Sequence, residues 1–441
     1  MSISVIILAA GQGTRMKSNL PKVLHHVGNK PLVSHVVDAT NLLPVNQRIV
    51  VANPHTAPAI EKILDNANVV IQQEQLGTAD AVKAGLIHVS NDDDTILILY
   101  GDTPLIQPDT LEVFLNIKSD IRVLGFDTPY PHGYGRIITK DGEHILAIVE
   151  EKDASTDQKE ITLCNSGIMA LKASLLKSLL EDVSNNNAKG EYYLTDIINI
   201  ANQRSLECKF AICDLDEVIG INDRLQLSIA ETAFQTRKRK EIMLSGVTLT
   251  NPESVFFSAD TQIGNDTIIE PNVTFGPKVT IESNCHIKSF SHIEEAIISD
   301  GCTIGPYARL RPGSHLEKNV KIGNFVEIKK SYLGQGAKVN HLSYIGDAKV
   351  GDAANIGAGT ITCNYDGINK YQTIIGKGAF IGSNTALVAP VSIGDGALIG
   401  AGSTITNDVA KDALAVSRAD QKSISQGAKK KRERTLNTKA S

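Results

Sequence analysis

An apolar residue occupies every sixth position through most of the chain between residues 263 and 409. Side chains of a strand alternate with period two, so a period of six describes a short strand broken by a turn at a fixed interval. Stacked turns of this kind bury a continuous aliphatic column, and the pattern predicts a parallel β-helix. An ordinary β-sandwich, the alternative, would show wider and less regular turn spacing. The large apolar residues of the repeat are Ile263, Ile269, Phe275, Ile281, Ile287, Ile293, Ile304, Leu310, Leu316, Ile322, Ile328, Leu333, Val339, Ile345, Val350, Ile356, Ile375, Ile381, Leu387, Ile393, Ile399 and Ile405.

One long interruption of the repeat lies between Ile356 and Ile375. Residues 362–370 are polar, aromatic and turn-forming, so we expect them to leave the coil as a loop. Insertions in repeat proteins collect where ligands bind. This loop, with His341 and Tyr344 shortly before it, is therefore a candidate binding region.

Length, charge and cysteine content narrow the possible functions. A chain of 441 residues is long enough for two or more domains. Its formal net charge of -5 gives no reason to expect a nucleic acid partner. No apolar run reaches membrane-spanning length, and the run over residues 3–10 lacks the basic flank of a signal peptide, so we expect no membrane partner. The six cysteines show no CxxC spacing, which argues against a zinc or disulfide framework and favours the reducing cytoplasm.

The first predicted strand is followed directly by a glycine-rich turn. Gly11 and Gly13 come immediately after the apolar run over residues 3–10. Backbone N–H groups in such a turn can approach an anion because no side chain intrudes. The turn is neither a Walker P-loop nor a full GxGxxG fingerprint, but Arg15 and Lys22 add two cations within a few residues. Together these features favour a polyphosphate site, and the alternative for each cation is a solvated surface position.

Strand and helix patterns then alternate as far as about residue 223, which predicts an α/β sheet. The buried run over residues 95–99 ends in Tyr100, Gly101 and Asp102. An acidic residue at the carboxyl end of a central strand lies where α/β sheets bind ligands, and Mg²⁺ prefers such oxygen ligands. Asp102 is therefore a candidate metal ligand, with a turn cap as the alternative.

Four segments follow from these patterns. Residues 1–223 form the α/β domain, and residues 224–245 have the pattern of one connecting helix with a charged end. Residues 246–420 hold the hexad repeats. The polar and basic segment 421–441 is expected to be disordered.

Two sets of motifs resemble known enzymes. The N-terminal motifs resemble those of sugar-phosphate nucleotidylyltransferases, and in particular of the uridylyl-transferring members. They are Leu8-Ala9-Ala10-Gly11-x-Gly13-Thr14-Arg15-Met16, Leu20-Pro21-Lys22-Val23-Leu24, Gln72-x-x-Gln75-Leu76-Gly77-Thr78-Ala79 and Tyr100-Gly101-Asp102. The hexad segments 308–313, 324–330, 341–347 and 355–366 extend the likeness to nearly the whole chain. The chain resembles the bacterial bifunctional family that joins N-acetylglucosamine-1-phosphate uridylyltransferase to glucosamine-1-phosphate N-acetyltransferase.

The resemblance implies an α/β Rossmann-like nucleotidylyltransferase domain followed by a left-handed parallel β-helix of hexapeptide repeats. The left hand comes from the resemblance alone, because right-handed crossovers are the general rule. The resemblance also implies two independent sites and a homotrimer built through the β-helix. The substrates would be glucosamine-1-phosphate, acetyl-CoA, N-acetylglucosamine-1-phosphate and UTP. The final product, UDP-N-acetylglucosamine, would supply peptidoglycan and lipopolysaccharide precursors.

For the N-terminal site, the resemblance implies that Asp102 and Asn222 bind Mg²⁺, and that Arg15 and Lys22 neutralise charge as pyrophosphate leaves. Gln72 would recognise uracil through paired amide hydrogen bonds. The residues expected to hold the uridine nucleotide and the amino sugar are Leu8, Ala9, Ala10, Gly11, Lys22, Gln72, Gly77, Thr78, Tyr100, Gly101, Asp102, Gly135, Glu150, Asn165 and Asn222.

For the C-terminal site, the resemblance makes His341 the base that accepts the proton of the amino group. The residues expected to hold the sugar phosphate are Arg311, Lys329, Tyr344, Asn355 and Lys370. Those expected to contact acetyl-CoA are Ala358, Asn364, Tyr365, Ser383, Ala401 and Arg418.

Three other functions remain open at this point. The β-helix could be a passive trimerisation element, although a passive solenoid needs neither His341 nor the polar loop. A non-catalytic scaffold would have no reason to keep Gly11, Arg15, Lys22 and Asp102 together. A related enzyme could transfer thymidylyl to glucose-1-phosphate, which assays with UTP and dTTP distinguish.

Overall fold

The computed structural model describes residues 2–187 and 189–440. The chain divides into two compact units, Met1–Lys238 and Arg239–Ser441. The helix predicted over residues 224–245 runs from Arg224 to Leu244, and the division falls inside it.

A nine-stranded sheet organises the first unit, with the central order β11-β7-β10-β6-β1-β4-β5. Strand β10 runs antiparallel to β6 and β7, whereas β1, β4, β5 and β6 are parallel neighbours. Strand β8 pairs with β10 and β9 beside this path. The nine strands of this sheet are β1 Ile3–Leu8, β4 Val45–Ala52, β5 Asn68–Ile71, β6 Thr95–Tyr100, β7 Ile121–Asp127, β8 Gly135–Thr139, β9 Ile145–Val149, β10 Leu163–Lys172 and β11 Cys208–Ile212. Two short strands, β2 His26–Val27 and β3 Lys30–Pro31, pair with each other in a separate sheet.

Helices cover both faces of this sheet. Alternate residues of β1 point to opposite faces, so Ile6 packs in one core with α3 and Val5 packs in the other with α1 and α4. The predicted Rossmann-like α/β class is confirmed by this arrangement. The helices are α1 Leu32–Ala39, α2 Ala57–Glu61, α3 Thr78–Leu86, α4 Pro108–Leu115, α5 Thr156–Lys159, α6 Ala173–Glu181, α7 Asp196–Gln203 and α8 Arg224–Leu244.

The second unit is a parallel β-helix with three sheets, here called its first, second and third faces in the order in which each coil meets them. The first face contains Thr248–Leu249, Ile268–Ile269, His286–Ile287, Thr303–Ile304, Lys321–Asn324, Lys338–His341, Asn355–Ile356, Phe380–Ile381, Leu398–Ile399 and Leu414–Ala415. The second face contains Thr274–Phe275, His292–Ile293, Arg309–Leu310, Glu327–Lys329, Tyr344–Gly346, Ile361–Cys363, Ala386–Val388 and Thr404–Ile405. The third face contains Gln262–Ile263, Val279–Ile281, Ala296–Ile298, Ser314–Leu316, Ser331–Leu333, Ala348–Val350, Thr373–Ile375 and Val391–Ile393.

The apolar hexad residues form the core of these coils. All of them are buried except Ile263, which is partly buried at the start of the repeat. The prediction of a parallel β-helix is therefore confirmed. The loop expected at 362–370 begins two residues later, because Thr362 is buried and ends a second-face strand together with Cys363.

The C-terminal segment differs from the expectation of disorder. Residues Gly427–Ala440 form helix α9, preceded by an exposed segment without regular structure. A helix with no apolar face has nothing to bury, and basic side chains cover this one. In residues 2–187 and 189–440, no helix combines the length and the apolar character needed to cross a membrane.

Candidate active sites

The first candidate site lies at the carboxyl ends of β1, β5 and β6. Leu8 and Tyr100 end their strands side by side, and the Gly101 N–H donates to the Leu8 carbonyl at 2.9 Å. Gln72 follows β5, and its N–H donates to the Ala52 carbonyl of β4 at 2.8 Å. Parallel strands that end together leave a crevice at this edge. The turn after β1 therefore faces the turn after β6.

A cavity of about 260 Å³ occupies this crevice. Most of the residues expected to hold the nucleotide line it: Leu8, Ala9, Ala10, Gly11, Lys22, Gln72, Gly77, Thr78, Tyr100 and Asp102. Four further residues line the cavity without having been predicted: Val23, Gln75, Ala81 and Glu191. Val23 and Gln75 belong to the quoted motifs. Glu191, by contrast, lies in an irregular loop with no local pattern that points to a site.

Lys22, Asp102 and Asn222 meet at one edge of this cavity. The Lys22 ammonium group forms an ion pair with the Asp102 carboxylate and donates to the Asn222 amide oxygen at 3.1 Å. The chain brings Asn222 here because the Ile221 N–H donates to the Asp102 carbonyl at 3.0 Å. Two oxygen ligands thus surround one position that suits a cation.

This pair of oxygens fits the expected Mg²⁺. Magnesium is usually held by one or two protein carboxylates or amides, with substrate phosphates and water completing the octahedron. Within residues 2–187 and 189–440, no group of three or more His, Cys, Asp or Glu side chains could hold a metal ion by itself. Asp102 and Asn222 therefore suit a metal that arrives with a phosphate ligand.

Two acceptors inside the protein fix the orientation of the Gln72 side-chain amide. Its Nε2 donates to the Asp80 carboxylate at 2.7 Å and to the Gly77 carbonyl at 3.3 Å. Both amide hydrogens therefore have acceptors inside the protein, and the paired amide hydrogen bonds to uracil stay a prediction. The amide oxygen of Gln72 is the atom that remains to accept a hydrogen bond from a base.

The residues expected to hold the amino sugar come together around Tyr100. Gly135 pairs with Asn165 across β8 and β10, and a Cβ at Gly135 would lie 3.6 Å from a Glu150 carboxylate oxygen. Gly167, at φ +88, lets the Tyr100 ring approach so closely that a Cβ there would lie 2.5 Å from a ring carbon. Burial raises the pKa of Tyr100, and the nearby Glu150 and Asp102 charges add to this. Burial also raises the pKa of Glu150.

Arg15 lies outside the cavity. It occupies a short 3-10 helix, Thr14–Met16, with its side chain exposed. His25 is buried, and its Nδ1 lies 3.2 Å from an Arg224 guanidinium nitrogen. Burial lowers the pKa of His25, and the Arg224 charge lowers it further.

The second candidate site follows the corner between the first and second faces of the β-helix. Val339, Ile356, Ile381 and Ile399 are paired in register on successive coils, so the residues two positions later also stack. Those residues are His341, Ala358, Ser383 and Ala401, here called the corner column. The Arg418 guanidinium group bonds the Ala401 carbonyl at 2.7 Å and extends the column. Small side chains leave room for an extended ligand between His341 and Arg418.

His341 is held in one tautomer by Asn324 on the preceding coil. The two residues pair across the first face, and His341 Nδ1 lies 2.7 Å from Asn324 Oδ1. An amide oxygen only accepts hydrogen bonds, so Nδ1 carries the hydrogen and Nε2 presents its lone pair to solvent. Asn324 belongs to a motif segment, but the sequence did not identify it as a site residue.

Arg311, Lys329 and Lys370 form a cluster of cations at the corner between the second and third faces. Arg311 and Lys329 follow Leu310 and Ile328, which pair on adjacent coils. The Lys370 ammonium group lowers the pKa of Lys329, and burial and Arg311 lower it further. Glu327, 2.8 Å from Arg311, raises the pKa of that guanidinium group. A cluster of three cations, in which the pKa of Lys329 is lowered by its neighbours, suits an anion such as a phosphate.

The other residues expected at the second site lie on or near the loop and on the first face. The Asn364 side chain is buried, and its Nδ2 donates to Asp347 at 2.5 Å and lies 3.5 Å from the Tyr344 hydroxyl. It therefore anchors the base of the loop. Tyr365 is exposed on that loop and bridges to Lys370, whereas Asn355 lies on the first face beside Lys338. Within one chain, the cation cluster and His341 lie at opposite edges of the second face.

Comparisons with known proteins match both units. Residues 5–136 match the MobA-like NTP transferase domain, and residues 260–295, 295–330 and 372–407 match the bacterial transferase hexapeptide family of six repeats. The bifunctional protein GlmU of Azorhizobium caulinodans is 50% identical over 426 residues, which cover 95% of each chain. GlmU of Zymomonas mobilis is 48% identical over 440 residues, which cover 98% of each chain. GlmU of Bartonella quintana is 48% identical over 422 residues, with 94% of each chain covered.

Proposed function

Because the chain belongs to the family of bifunctional GlmU proteins, we propose that its two sites act in sequence to make UDP-N-acetylglucosamine. The second unit, a left-handed β-helix, transfers acetyl from acetyl-CoA to glucosamine-1-phosphate. The first unit then transfers uridylyl from UTP to N-acetylglucosamine-1-phosphate and releases pyrophosphate. One observation carries the proposal: a single chain holds a nucleotide cavity in one unit and an oriented histidine at the end of a small-residue column in the other.

In the first unit, a phosphate oxygen of the sugar attacks the α-phosphorus of UTP in line with the departing pyrophosphate. This oxygen is already anionic at neutral pH, so no general base is needed. Catalysis therefore rests on positioning and on neutralising charge. Lys22 supplies a cation inside the cavity, and Gly11 leaves its backbone N–H open to a phosphate. Arg15, which is exposed just outside the cavity, neutralises the charge of the leaving pyrophosphate.

Asp102 and Asn222 would hold Mg²⁺, which supplies Lewis-acid charge stabilisation to the triphosphate. On the sugar side, Asn165 and the backbone at Gly135 bind the amino sugar, and the half-buried Glu150 carboxylate accepts hydrogen bonds from its hydroxyl groups. Tyr100 and Gly101 lie between the two halves of the pocket and hold the sugar phosphate near the nucleotide.

In the second unit, the amino group must lose a proton before it can attack the thioester carbonyl. Nε2 of His341 accepts that proton, because Asn324 holds the hydrogen on Nδ1. The amine nitrogen forms the amide bond while the carbon–sulfur bond breaks and the thiolate of CoA leaves. Acetyl-CoA lies along the corner column with a phosphate at Arg418, and Asn364 and Tyr365 shape the loop beside it. Arg311, Lys329 and Lys370 bind the phosphate of the sugar, with Tyr344 and Asn355 completing the pocket.

The proposal includes a homotrimer built through the β-helix. In one chain, His341 and the cation cluster lie at opposite edges of the second face. This separation supports the trimer, because the cation cluster of a second copy can lie next to His341 of the first. Exposed aromatic rings also stack along one corner of the β-helix. The ring centroids of Phe290 and Tyr307 lie 4.8 Å apart, and those of Tyr307 and Phe325 lie 5.2 Å apart. We place the enzyme in the cytoplasm, where its substrates and the precursors of peptidoglycan and lipopolysaccharide are made. Light scattering of the purified protein tests the trimer.

Two substitutions test the separation of the activities. His341→Ala should lower acetyl transfer by on the order of 10²–10⁴-fold and leave uridylyl transfer from UTP to ready-made N-acetylglucosamine-1-phosphate unchanged. Asp102→Ala should lower uridylyl transfer and leave acetyl transfer unchanged. Equal loss of both activities in either variant would contradict two separate sites, and full uridylyl transfer in the Asp102 variant would contradict the metal assignment.

A further inference from the structure

Asp80 fixes which atom of the Gln72 amide faces the nucleotide cavity. Gln72 lines that cavity and is almost fully buried, at 4% exposure. Its Nε2 lies 2.7 Å from an Asp80 carboxylate oxygen and 3.3 Å from the Gly77 carbonyl oxygen. The reversed orientation would press the amide oxygen of Gln72 against two other acceptors. A carboxylate and a carbonyl cannot donate, so only one orientation of the amide satisfies both neighbours.

The amide oxygen of Gln72 is consequently an obligatory acceptor. It accepts no hydrogen bond from the described residues, and the planar amide turns it away from Asp80. Uracil presents a donor, N3–H, at the position where cytosine presents the bare lone pair of N3. An acceptor fixed in a buried pocket pairs with the first base and repels the second.

We propose that Asp80 is the positioning residue that makes the first unit select uracil over cytosine nucleotides, by holding the Gln72 oxygen toward the base. This inference rests on the proposed function, in which Gln72 contacts the base of UTP. Asp80 touches neither substrate nor metal in this assignment, and its whole effect passes through the amide of Gln72.

Asp80→Asn tests the inference with little change in size. An asparagine can turn either its oxygen or its nitrogen toward Gln72, so both orientations of the Gln72 amide become available. The assay is pyrophosphate release by the full chain, with N-acetylglucosamine-1-phosphate and Mg²⁺, and with UTP, CTP or 5-methyl-UTP as nucleotide. The ratio of kcat/KM for UTP to that for CTP should fall on the order of tenfold, the size of one buried hydrogen bond gained or lost. The ratio for UTP to 5-methyl-UTP should not change, because both bases carry N3–H.

Two control variants separate specificity from stability. Asp80 lies in the first turn of α3, where a carboxylate also stabilises the helix dipole. Asp109 occupies the first turn of α4 in the same way, so Asp109→Asn should leave the UTP-to-CTP ratio unchanged. Asp80→Glu keeps an acceptor-only group and should retain most of the selectivity.

The outcomes distinguish this inference from the proposed function beneath it. Equal loss of kcat/KM for UTP and CTP in Asp80→Asn would show that Asp80 only stabilises the fold and would overturn the inference. If Gln72→Ala abolishes selectivity and Asp80→Asn does not, Gln72 contacts the base but Asp80 does not orient it. If Gln72→Ala keeps the selectivity of the unsubstituted enzyme, the role of Gln72 in the proposed function fails together with the inference.

Discussion

Removal of the Arg418 charge should weaken the binding of acetyl-CoA but not the binding of a shortened acetyl donor. The corner column places His341, Ala358, Ser383 and Ala401 on four successive coils. At about 4.8 Å between neighbouring strands, three spacings separate His341 from Ala401 by about 14 Å. Arg418 bonds the Ala401 carbonyl and lies at the far end. A ligand whose acyl carbon is at His341 must therefore extend more than about 14 Å to reach the Arg418 guanidinium group.

Acetyl-CoA carries a phosphate at such a distance from its thioester, whereas acetyl-pantetheine ends before it. A charge-assisted hydrogen bond to an exposed arginine contributes about 1.4 kcal/mol, so Arg418→Ala should lower kcat/KM for acetyl-CoA about tenfold. The same variant should leave kcat/KM for acetyl-pantetheine unchanged. The assay follows the released thiol with glucosamine-1-phosphate as acceptor. Lys411→Ala, which removes another exposed cation of the same unit, serves as the matched control.

The result that would refute this reasoning is an equal loss for both donors in Arg418→Ala. That result would mean that the arginine supports the coil through its bond to Ala401 and that the ligand does not follow the column.

Three further predictions concern side chains whose effect depends on a neighbouring group or on burial. Asn324→Leu should lower acetyl transfer about 10- to 100-fold, because His341 loses the partner that fixes its tautomer, while uridylyl transfer measured in parallel stays unchanged. Burial lowers the pKa of His35 to about 4 from an unfolded value near 6.5, so its contribution to the free energy of unfolding is present above pH 6.5 and is lost as the pH falls toward 4. The loss amounts to about 3 kcal/mol, and His35→Leu should flatten the pH dependence of urea denaturation between pH 4 and 6.5; an unchanged slope would contradict the assignment. The Arg136 guanidinium group, 1% exposed and 2.8 Å from Glu151, joins the strand that begins at Gly135 to the turn after Glu150. Arg136→Lys should therefore raise the KM for N-acetylglucosamine-1-phosphate about tenfold with little effect on the KM for UTP, and equal changes in both would indicate general loosening.

The fold could be predicted from the sequence because its strongest signal is local. One inward apolar residue in every six positions specifies a coil without reference to distant residues, and the buried hexad residues bear this out. The exceptions have local causes as well. Ile263 is less buried because it lies where the repeat begins, and the loop starts after Cys363 because Thr362 is still inside the coil.

The arrangement of the sites was less accessible from the sequence. Lys22 meets Asp102 and Asn222 across 80 and 200 residues of chain, and only family resemblance placed them together. Resemblance also named Gln72 but could not show that Asp80 and the Gly77 carbonyl accept its amide hydrogens, because that depends on how α3 lies against β5. The inward turn of Asn364 likewise depends on Asp347, on a neighbouring coil.

The order of the two reactions is the central claim, and one assay tests it most directly. The purified chain is supplied with glucosamine-1-phosphate, acetyl-CoA, UTP and Mg²⁺, and free CoA thiol and pyrophosphate are followed separately. We expect both products, with pyrophosphate released only when acetyl-CoA is present. Pyrophosphate that forms only from ready-made N-acetylglucosamine-1-phosphate, with no thiol released, would show that the β-helix is not an acetyltransferase and that the role of His341 is wrong.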